Sequence, residues 1–172
     1  LKDLDNELYI RVYQEAGNSI RRTGGVSIDF SELEFEPESV FHLPETINRS
    51  IKIIRKVKVK GAFIVVDAIR NPYEAKYFKD RYSAFYLVSI NAPNNDRKSY
   101  LQNVHKFTVD EFDDLEKRES GKSNVSDADF ISQNVKKCIE ISDIHIFNPR
   151  NELDNNNVLK SQLAWYLALI LH

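Results

Sequence analysis

Several residue types are scarce or absent in this chain of 172 residues. It has no methionine, five glycines, five prolines and one cysteine. The single cysteine, Cys138, excludes an internal disulfide framework and a cysteine-cluster metal site, and it favours a cytoplasmic setting. With so little glycine and proline, the composition also excludes a fibrous or disordered chain.

Long apolar runs and an excess of positive charge are missing as well. The longest apolar runs are short and interrupted, so no segment is predicted to span a bilayer. Charged residues throughout Leu1 to Arg11 exclude a signal peptide. A net charge of −2 provides no basic surface for nucleic acid. With 42% hydrophobic and 29% charged residues, the totals predict one soluble domain with a hydrophobic core.

The chain contains no phosphate-binding loop of the GxxxxGK[ST] type and no glycine-rich dinucleotide fingerprint. Gly24-Gly25 is not followed by a helix that begins with Lys-Ser or Lys-Thr. Nothing else in the chain would hold donor phosphates, so an active P-loop kinase cannot be built from these residues alone. The low glycine content and the lack of methionine predict that the native N-terminus lies upstream of Leu1.

What is present is an alternation of helical and strand patterns. Helical spacing of apolar residues and capping residues predict helices over about 4–24, 47–57, 72–79, 95–106, 109–119, 128–139 and 159–171. Continuous apolar runs predict strands at 61–67, 84–90 and 144–147. The segments 26–44 and 150–157 are predicted to be loops. Strands separated by helices predict an α/β fold with a parallel sheet and helices on both of its faces.

The most informative polar cluster is Asp67-Ala-Ile-Arg70-Asn-Pro-Tyr-Glu74. Asp67 would lie at the carboxyl end of the first predicted strand, where open parallel sheets bind their ligands, and Arg70 in the loop that follows. The carboxylate could hold a magnesium-bound water, and the guanidinium could bind a phosphate through two hydrogen bonds. The alternative is a salt bridge at the strand end together with a helix cap.

Three further positions carry weaker signals. Arg97 and Lys98 begin a helix after the second predicted strand and could fold over transferred phosphates, although a solvated helix start is an equal alternative. Arg21 could hold the phosphate of a bound monophosphate, but a favourable interaction with the helix dipole is the simpler explanation. Asn148 follows the last strand, where a polar group can contact a base.

The other candidates are better explained by packing. The four histidines share no spacing that would build a metal site. His145 alternates within a strand and is predicted to be packed, and Cys138 lies on an apolar helical face and is predicted to be core. Trp165 in the last helix is predicted to be a packing or interface residue. The acidic run over 111–119 is typical of a solvated helix face.

Several segments, taken in order, resemble one family. Val65-Val-Asp-Ala-Ile-Arg-Asn-Pro-Tyr-Glu74 is similar to the V-D-x-I-R-N/H-P-x-E segment of the deoxynucleoside monophosphate kinase-like domain that precedes the deaminase domain in bacterial anti-phage dCTP deaminases. Other stretches resemble further segments of that domain, and Asn148 matches an asparagine after its last strand. These stretches are 15–21, 85–97, 132–144 and 167–172. Ser132 stands where that family has a glycine before Gln133.

The resemblance implies a three-layer P-loop kinase-like fold, with a small, mainly parallel sheet that lacks its P-loop strand, as a single domain over residues 1–172. It places the phosphate loop upstream of Leu1 and a zinc-dependent deaminase domain downstream of His172, so neither activity is assigned to this chain alone. In the intact protein it implies Mg²⁺ and a nucleotide, ATP or a deoxynucleotide, as ligands. The implied partners are the nucleotide, the deaminase domain and a second copy of the chain, with no nucleic acid and no membrane.

The leading hypothesis is a nucleotide-binding, kinase-like regulatory domain of a protein related to deoxycytidylate and dCTP deaminases, which act in nucleotide metabolism and anti-phage defence. Asp67 would serve Mg²⁺ and, with Arg97, catalysis. The nucleotide and its phosphates would contact Arg21, Arg70, Lys98 and Asn148. Two alternatives stay open. One is an active deoxynucleoside monophosphate kinase that uses ATP and Mg²⁺, and the other is a non-catalytic docking or oligomerisation module that uses the last helix.

Overall fold

The computed structural model describes residues 6–26, 34–58, 61–119, 128–149 and 157–171. These residues are mostly helical and contain one parallel pair of strands, which confirms the mixed α/β class and the parallel sheet. The chain forms two compact units. One comprises Leu1–Phe85 with Arg118–Cys138, and the other Tyr86–Lys117 with Ile139–His172. Of the described helices, none combines the length and the apolar character needed to cross a membrane.

The first unit opens with helix α1, Asn6–Thr23, which ends where the sequence predicts. Gly24 follows it with φ of 77°, and its N–H donates to the Ile20 carbonyl at 2.8 Å. Glycine reaches this left-handed conformation without the steric cost that a Cβ atom imposes. One carbonyl of the last turn of α1 is therefore satisfied by the residue that stops the helix.

Helix α2, His42–Val57, follows a short 3-10 helix at Pro37–Phe41. The predicted helix over 47–57 is confirmed, but it begins earlier, within the segment predicted to be a loop. Pro44 lies in the first turn of α2, where the missing N–H has no helical partner to lose. The proline therefore helps to start this helix.

Helix α3, Pro72–Arg81, confirms the helix predicted from its capping residues. Asn71 is the N-cap, and its side chain accepts a hydrogen bond of 2.9 Å from the Tyr73 N–H. The inward face of α3 buries Ala75 and Phe78. Burying a phenylalanine side chain stabilises a fold by roughly 1.5–3 kcal/mol, so this face is a principal anchor of the first unit.

The strand predicted at 61–67 is wrong, because residues 61–71 have no regular secondary structure. Phe63 and Val65 are 90% and 92% exposed. An apolar run becomes a buried parallel strand only when neighbouring strands satisfy its backbone and helices cover both faces. Among the described residues, β-pairing joins only the two strands of the other unit. Asp67 therefore does not lie at the end of a strand.

The single helix predicted over 128–139 is also wrong. The chain forms two short helices, α6 at Ala128–Ile131 and α7 at Val135–Glu140. The carbonyls of Phe130 and Ser132 accept hydrogen bonds from the Asn71 side chain instead of from the next helical turn. Asn134 then caps α7 by accepting from the Lys137 N–H at 2.9 Å. A tertiary contact and a local cap thus break the helical pattern.

The second unit contains the strands β1, Val88–Asn91, and β2, Ile144–Phe147, which pair in parallel with Ser89 opposite His145. Both strands were predicted, although β1 is shorter than the run that predicts it. The helices α4, Asn94–His105, and α5, Val109–Glu119, agree with the predicted ranges. At the start of the sheet, the Leu87 N–H donates to the Asp143 carboxylate at 2.8 Å.

Helix α8, Asn157–Leu171, is the predicted C-terminal helix. The loop predicted at 150–157 lies almost entirely outside the described residues. The Gln162 side chain accepts from the Phe147 N–H at 2.9 Å and donates to its carbonyl at 3.3 Å. Gln162 thus acts as a one-residue substitute for a neighbouring strand beside β2. No described residue of α8 is fully buried.

Candidate functional site

The segment from Asp67 to Arg70 forms an irregular turn that carries one unusual backbone conformation. Ala68 adopts φ of 65°, a left-handed conformation that costs a residue with a Cβ atom roughly 1–2 kcal/mol. Asp67 itself is exposed, and no described residue forms an ion pair or a hydrogen bond with its carboxylate. After this turn, the side chains of Arg70 and Asn71 form hydrogen bonds with other residues, whereas the Asp67 carboxylate forms none with a described residue.

Arg70 is the better placed of the two predicted site residues in this segment. Its Nη1 lies 3.2 Å from Glu119 Oε1 and 3.5 Å from Gln133 Oε1. The side chain is still 40% exposed. The guanidinium is therefore half-solvated and held by one carboxylate. An incoming anion would compete with Glu119 for it, and such a half-exposed pair contributes little to stability.

Asn71 occupies the centre of a buried polar connection that the sequence predicts only in part. Its Oδ1 caps α3, as expected. Its Nδ2 donates to the carbonyls of Phe130 at 2.8 Å and Ser132 at 3.0 Å. The residue is fully buried. One side chain therefore provides a hydrogen bond to the first turn of α3 and to two carbonyls from a segment about 60 residues later. These bonds fix the position of the chain directly after Arg70.

Arg21, predicted to hold a monophosphate, lies instead in a buried ion pair. Its Nε is 2.7 Å from Glu74 Oε1, and the two side chains are 6% and 9% exposed. Its Nη1 also donates to the Ile131 carbonyl at 3.3 Å. Glu74, in the first turn of α3, thus pairs with Arg21 across the first unit. Because both charges are removed from water, each depends on the other. Arg21 is a structural residue.

Cys138 packs beside this pair, as predicted for a core residue. Burial raises the pKa of its thiol to about 11, with a further rise from the neighbouring Glu74 carboxylate and an opposing effect of Arg21. A thiol with this pKa stays protonated near neutral pH and is a poor nucleophile. Cys138 is therefore part of the interior and not a reactive centre.

Arg97 and Lys98, in the first turns of α4, both pack against the ring of Phe112 from α5. The Arg97 Cζ and the Lys98 Nζ each lie 5.5 Å from the ring centroid. Arg97 also reaches Glu116 at 3.5 Å, with side chains 31% and 40% exposed. These are the weak contacts of partly solvated cations over an aromatic face. Both cations therefore lie close to the start of α4, packed against the same ring.

The carboxyl ends of β1 and β2 meet at a hydrogen bond between two asparagines. The Asn148 N–H donates to the Asn91 carbonyl at 2.7 Å, and Asn148 is 5% exposed. Helix α4 begins three residues after Asn91, and its start has no side-chain cap. The second unit therefore contains three of the predicted features: the asparagine after the last strand, the loop after β1 and the cations of α4.

A contact between Ser89 and His145 was not predicted. The serine Oγ lies 2.8 Å from the histidine Nδ1, and the Asn91 side chain donates to the same Oγ at 3.1 Å. His145 is exposed, so its prediction as a packed residue is wrong. The parallel register that places residue 89 opposite residue 145 would have revealed the contact, but register cannot be read from either strand alone.

The structure thus divides the predicted site. Arg97 and Lys98 share Phe112, and Asn148 bonds to Asn91, all within the second unit. The other three predicted residues, Arg21, Asp67 and Arg70, belong to the first unit. In the part of the chain that the structure describes, no group of three histidine, cysteine or carboxylate side chains could hold a metal ion.

Comparison of the chain with models of protein families, with curated proteins and with solved structures finds no match. Its function has to follow from the chemistry of the sites themselves.

Proposed function

We propose that this chain is a nucleotide-binding, kinase-like regulatory domain of a protein related to deoxycytidylate and dCTP deaminases. The observation that carries the proposal is the meeting of the two strand ends at Asn91 and Asn148, beside the uncapped start of α4. Parallel strands release their loops at one edge, and ligands of open α/β sheets bind there. The ordered sequence resemblance supports a nucleotide as the ligand at this edge.

The phosphate-binding part of the proposed site is the first turn of α4. Its backbone N–H groups and the positive end of the helix dipole favour an anion. Arg97 and Lys98 add two cations that both pack against Phe112 beside this turn. A phosphate would form charge-assisted hydrogen bonds with them that are stronger than a 3.5 Å contact to a half-exposed Glu116. Phe112 would keep both cations in position.

The base-binding part is assigned to the loop after β2. Asn148 carries an amide, a group that can bond to the edge of a base, and lies 5% exposed directly after β2. Its backbone is held by Asn91, so the side chain starts from a fixed position. Arg70, in the first unit, is a separate candidate phosphate ligand, in competition with Glu119. Arg21 leaves the proposed site, because breaking its buried pair would strand two charges.

A regulatory role fits better than catalysis. The sequence contains no loop of the kind that holds donor phosphates, and in the described part of the chain Asp67 belongs to no group of three or more metal-ligating side chains. Asp67 fits Mg²⁺ only as one ligand beside phosphate oxygens, which is how magnesium is usually bound with nucleotides. Mg²⁺ would there neutralise phosphate charge. Binding without turnover is the activity that the residues of this chain support.

A docking module is the second candidate function, and helix α8 favours it. Four of its large apolar side chains are at least half exposed: Trp165, Leu167, Leu169 and Leu171. A helix apolar on most of its surface normally packs against something. Gln162 of α8 bonds to Phe147, next to Asn148, so a partner docked on α8 would lie at the same end of the sheet as the proposed nucleotide site.

Calorimetry with dCTP, dTTP, dCMP and ATP tests the proposed function. We expect micromolar binding of at least one deoxynucleotide. If the second unit holds the phosphates, Arg97→Gln should weaken this binding at least tenfold. If the first unit holds them, Arg70→Ala should weaken it instead. Arg55→Gln removes an exposed cation of α2 and should change nothing. Absence of binding by all four nucleotides would reject the nucleotide function and leave the docking module.

A further inference from the structure

The outward face of α3 carries a second arrangement of chemically useful side chains. Its members recur at intervals of three and four residues, which places them on one side of a helix. They are Tyr73, Lys76, Tyr77, Asp80 and Arg81. They are half-buried or exposed, while Glu74, Ala75 and Phe78 on the other side are buried. The site proposed above uses none of them.

These side chains, together with Phe41 from the end of the 3-10 helix, line a cavity of about 530 Å³. The cavity lies within the first unit. Cavities that hold small ligands typically measure roughly 300–1,000 Å³, so the space suits one ligand of nucleotide size. Its walls come from two elements of the first unit. Phe41 ends the 3-10 helix, and the other lining residues belong to α3.

The aromatic walls of this cavity are held in place by neighbouring rings. Tyr73 stacks on Phe130, with ring centroids 4.9 Å apart. Tyr77 lies 5.9 Å from Phe41 and edge-on to the buried Phe78 at 5.5 Å. Rings fixed in this way lose little conformational freedom when a ligand stacks on them. Within the described chain, neither tyrosine hydroxyl has a hydrogen-bond partner, so both can address polar atoms of a ligand.

The charges of the cavity favour an anionic ligand. The Arg81 Cζ lies 4.8 Å from the centroid of the Tyr77 ring, and no described carboxylate forms an ion pair with its guanidinium. Lys76 pairs with Asp80 at 2.9 Å on the exposed rim. Two cations against one carboxylate leave the lining positive. A guanidinium that already lies over an aromatic ring can bind phosphate through two parallel hydrogen bonds.

We propose that the cavity between α3 and Phe41 binds a nucleotide, with its base against the tyrosine rings and its phosphate at Arg81. Stacking suits any base, because every base has an aromatic face, and the tyrosine hydroxyls are donors or acceptors for its edge. An uncharged apolar ligand would leave Arg81 unused, and a bare anion would leave the rings unused. The inference stands on this cavity and does not depend on the site at β1 and β2.

A nuclear magnetic resonance titration of backbone amides in the 172-residue chain tests the inference. The probes are dCMP, deoxycytidine and inorganic phosphate. dCMP carries both the base and the phosphate, deoxycytidine carries the base alone, and inorganic phosphate is the anion alone. We expect dCMP to shift the amides of 73–81 and of Phe41, deoxycytidine to do so at higher concentration, and phosphate to have little effect. Arg81→Gln should weaken dCMP binding at these amides about tenfold, which is the typical effect of losing one charge-assisted contact.

Two controls separate the cavity from the rest of the molecule. Arg55→Gln removes another exposed arginine of the same unit and should leave the shifts unchanged. Tyr77→Leu removes the ring but keeps apolar volume, and should weaken dCMP and deoxycytidine alike, by about tenfold for the loss of one stacking ring. Shifts that persist at 73–81 in Arg81→Gln with unaltered affinity would overturn the inference, as would dCMP shifts confined to 91–98 and 148, which would support only the other site.

Discussion

Each unit of the molecule contains a helix that starts at a capping side chain, but one of these caps is buried and the other is exposed to solvent. In the first unit, Asn71 caps α3 from a fully buried position and also binds two distant carbonyls. In the second unit, Thr108 caps α5 in solvent. Its Oγ1 accepts from the Glu111 N–H at 3.3 Å, and the Glu111 carboxylate accepts from the Thr108 N–H in return. The local signal is similar, but the depth of burial differs.

The arginines show the same contrast. Arg21 is enclosed with Glu74, whereas Arg97 lies half-solvated over Phe112. Both were predicted to bind phosphate, because a guanidinium at a helix end is a good anion ligand in either case. Burial then decides which arginine can leave its present partner. A cation in solvent can exchange partners at little cost, and a buried one cannot.

The largest expected effect is that of removing the buried carboxylate. Glu74→Ala should destabilise the first unit by about 3–5 kcal/mol, because Arg21 would remain buried without a countercharge. The urea concentration at which Cys138 becomes open to alkylation measures this, since the thiol is buried in the folded unit. Trapping by an alkylating agent should therefore begin at much lower urea in this variant.

Two matched variants sharpen the result for Glu74. Asp80→Ala removes the carboxylate of an exposed pair on the same helix and should cost less than about 1 kcal/mol. The double variant Arg21→Met with Glu74→Leu leaves no charge behind and should recover most of the lost stability. If Glu74→Ala and Asp80→Ala behaved alike, the buried pair would not be what holds this region together.

The next largest effect should come from the two caps. Asn71→Ala should destabilise the first unit by about 2–4 kcal/mol, because it removes a cap and leaves two carbonyls unsatisfied. Thr108→Ala should destabilise α5 by only about 1 kcal/mol, since water can solvate the groups released. Hydrogen exchange at the amides of α3 and α5 gives both values. Equal losses at the two caps would mean that the contacts of Asn71 with Phe130 and Ser132 add nothing.

The smallest expected effect is that of Arg97→Gln. The loss of its contacts with Phe112 and Glu116 should change the stability of the second unit by less than about 1 kcal/mol, because both contacts are partly exposed. Hydrogen exchange at the amides of β1 and β2 measures it. A much larger loss would identify Arg97 as a structural residue like Arg21, and its effect on nucleotide binding could then not be read as the loss of a ligand.

The candidate site was predictable where it depends on short stretches of chain. Asn71 with Pro72 predicted the start of α3, and the position of Arg97 and Lys98 after β1 predicted cations at the start of α4. The partners of Arg21 and Arg70 were not predictable, because Glu74 and Glu119 lie 53 and 49 residues away from them. The aromatic cavity was missed although its spacing is helical, since only the structure shows that this face of α3 is turned outward.

Local sequence was enough for most of the helices, their caps and the two short strands, because these depend on backbone preferences and on periodicity over a few residues. The fold as a whole accounts for three other outcomes: 61–67 is not a strand, the helix over 128–139 is broken at Asn134, and Arg21 is buried. Each of these outcomes depends on a partner from elsewhere in the chain, or on the lack of a described one. A strand needs a neighbouring strand for its backbone hydrogen bonds, and a charged side chain is buried only when a group of opposite charge is buried with it.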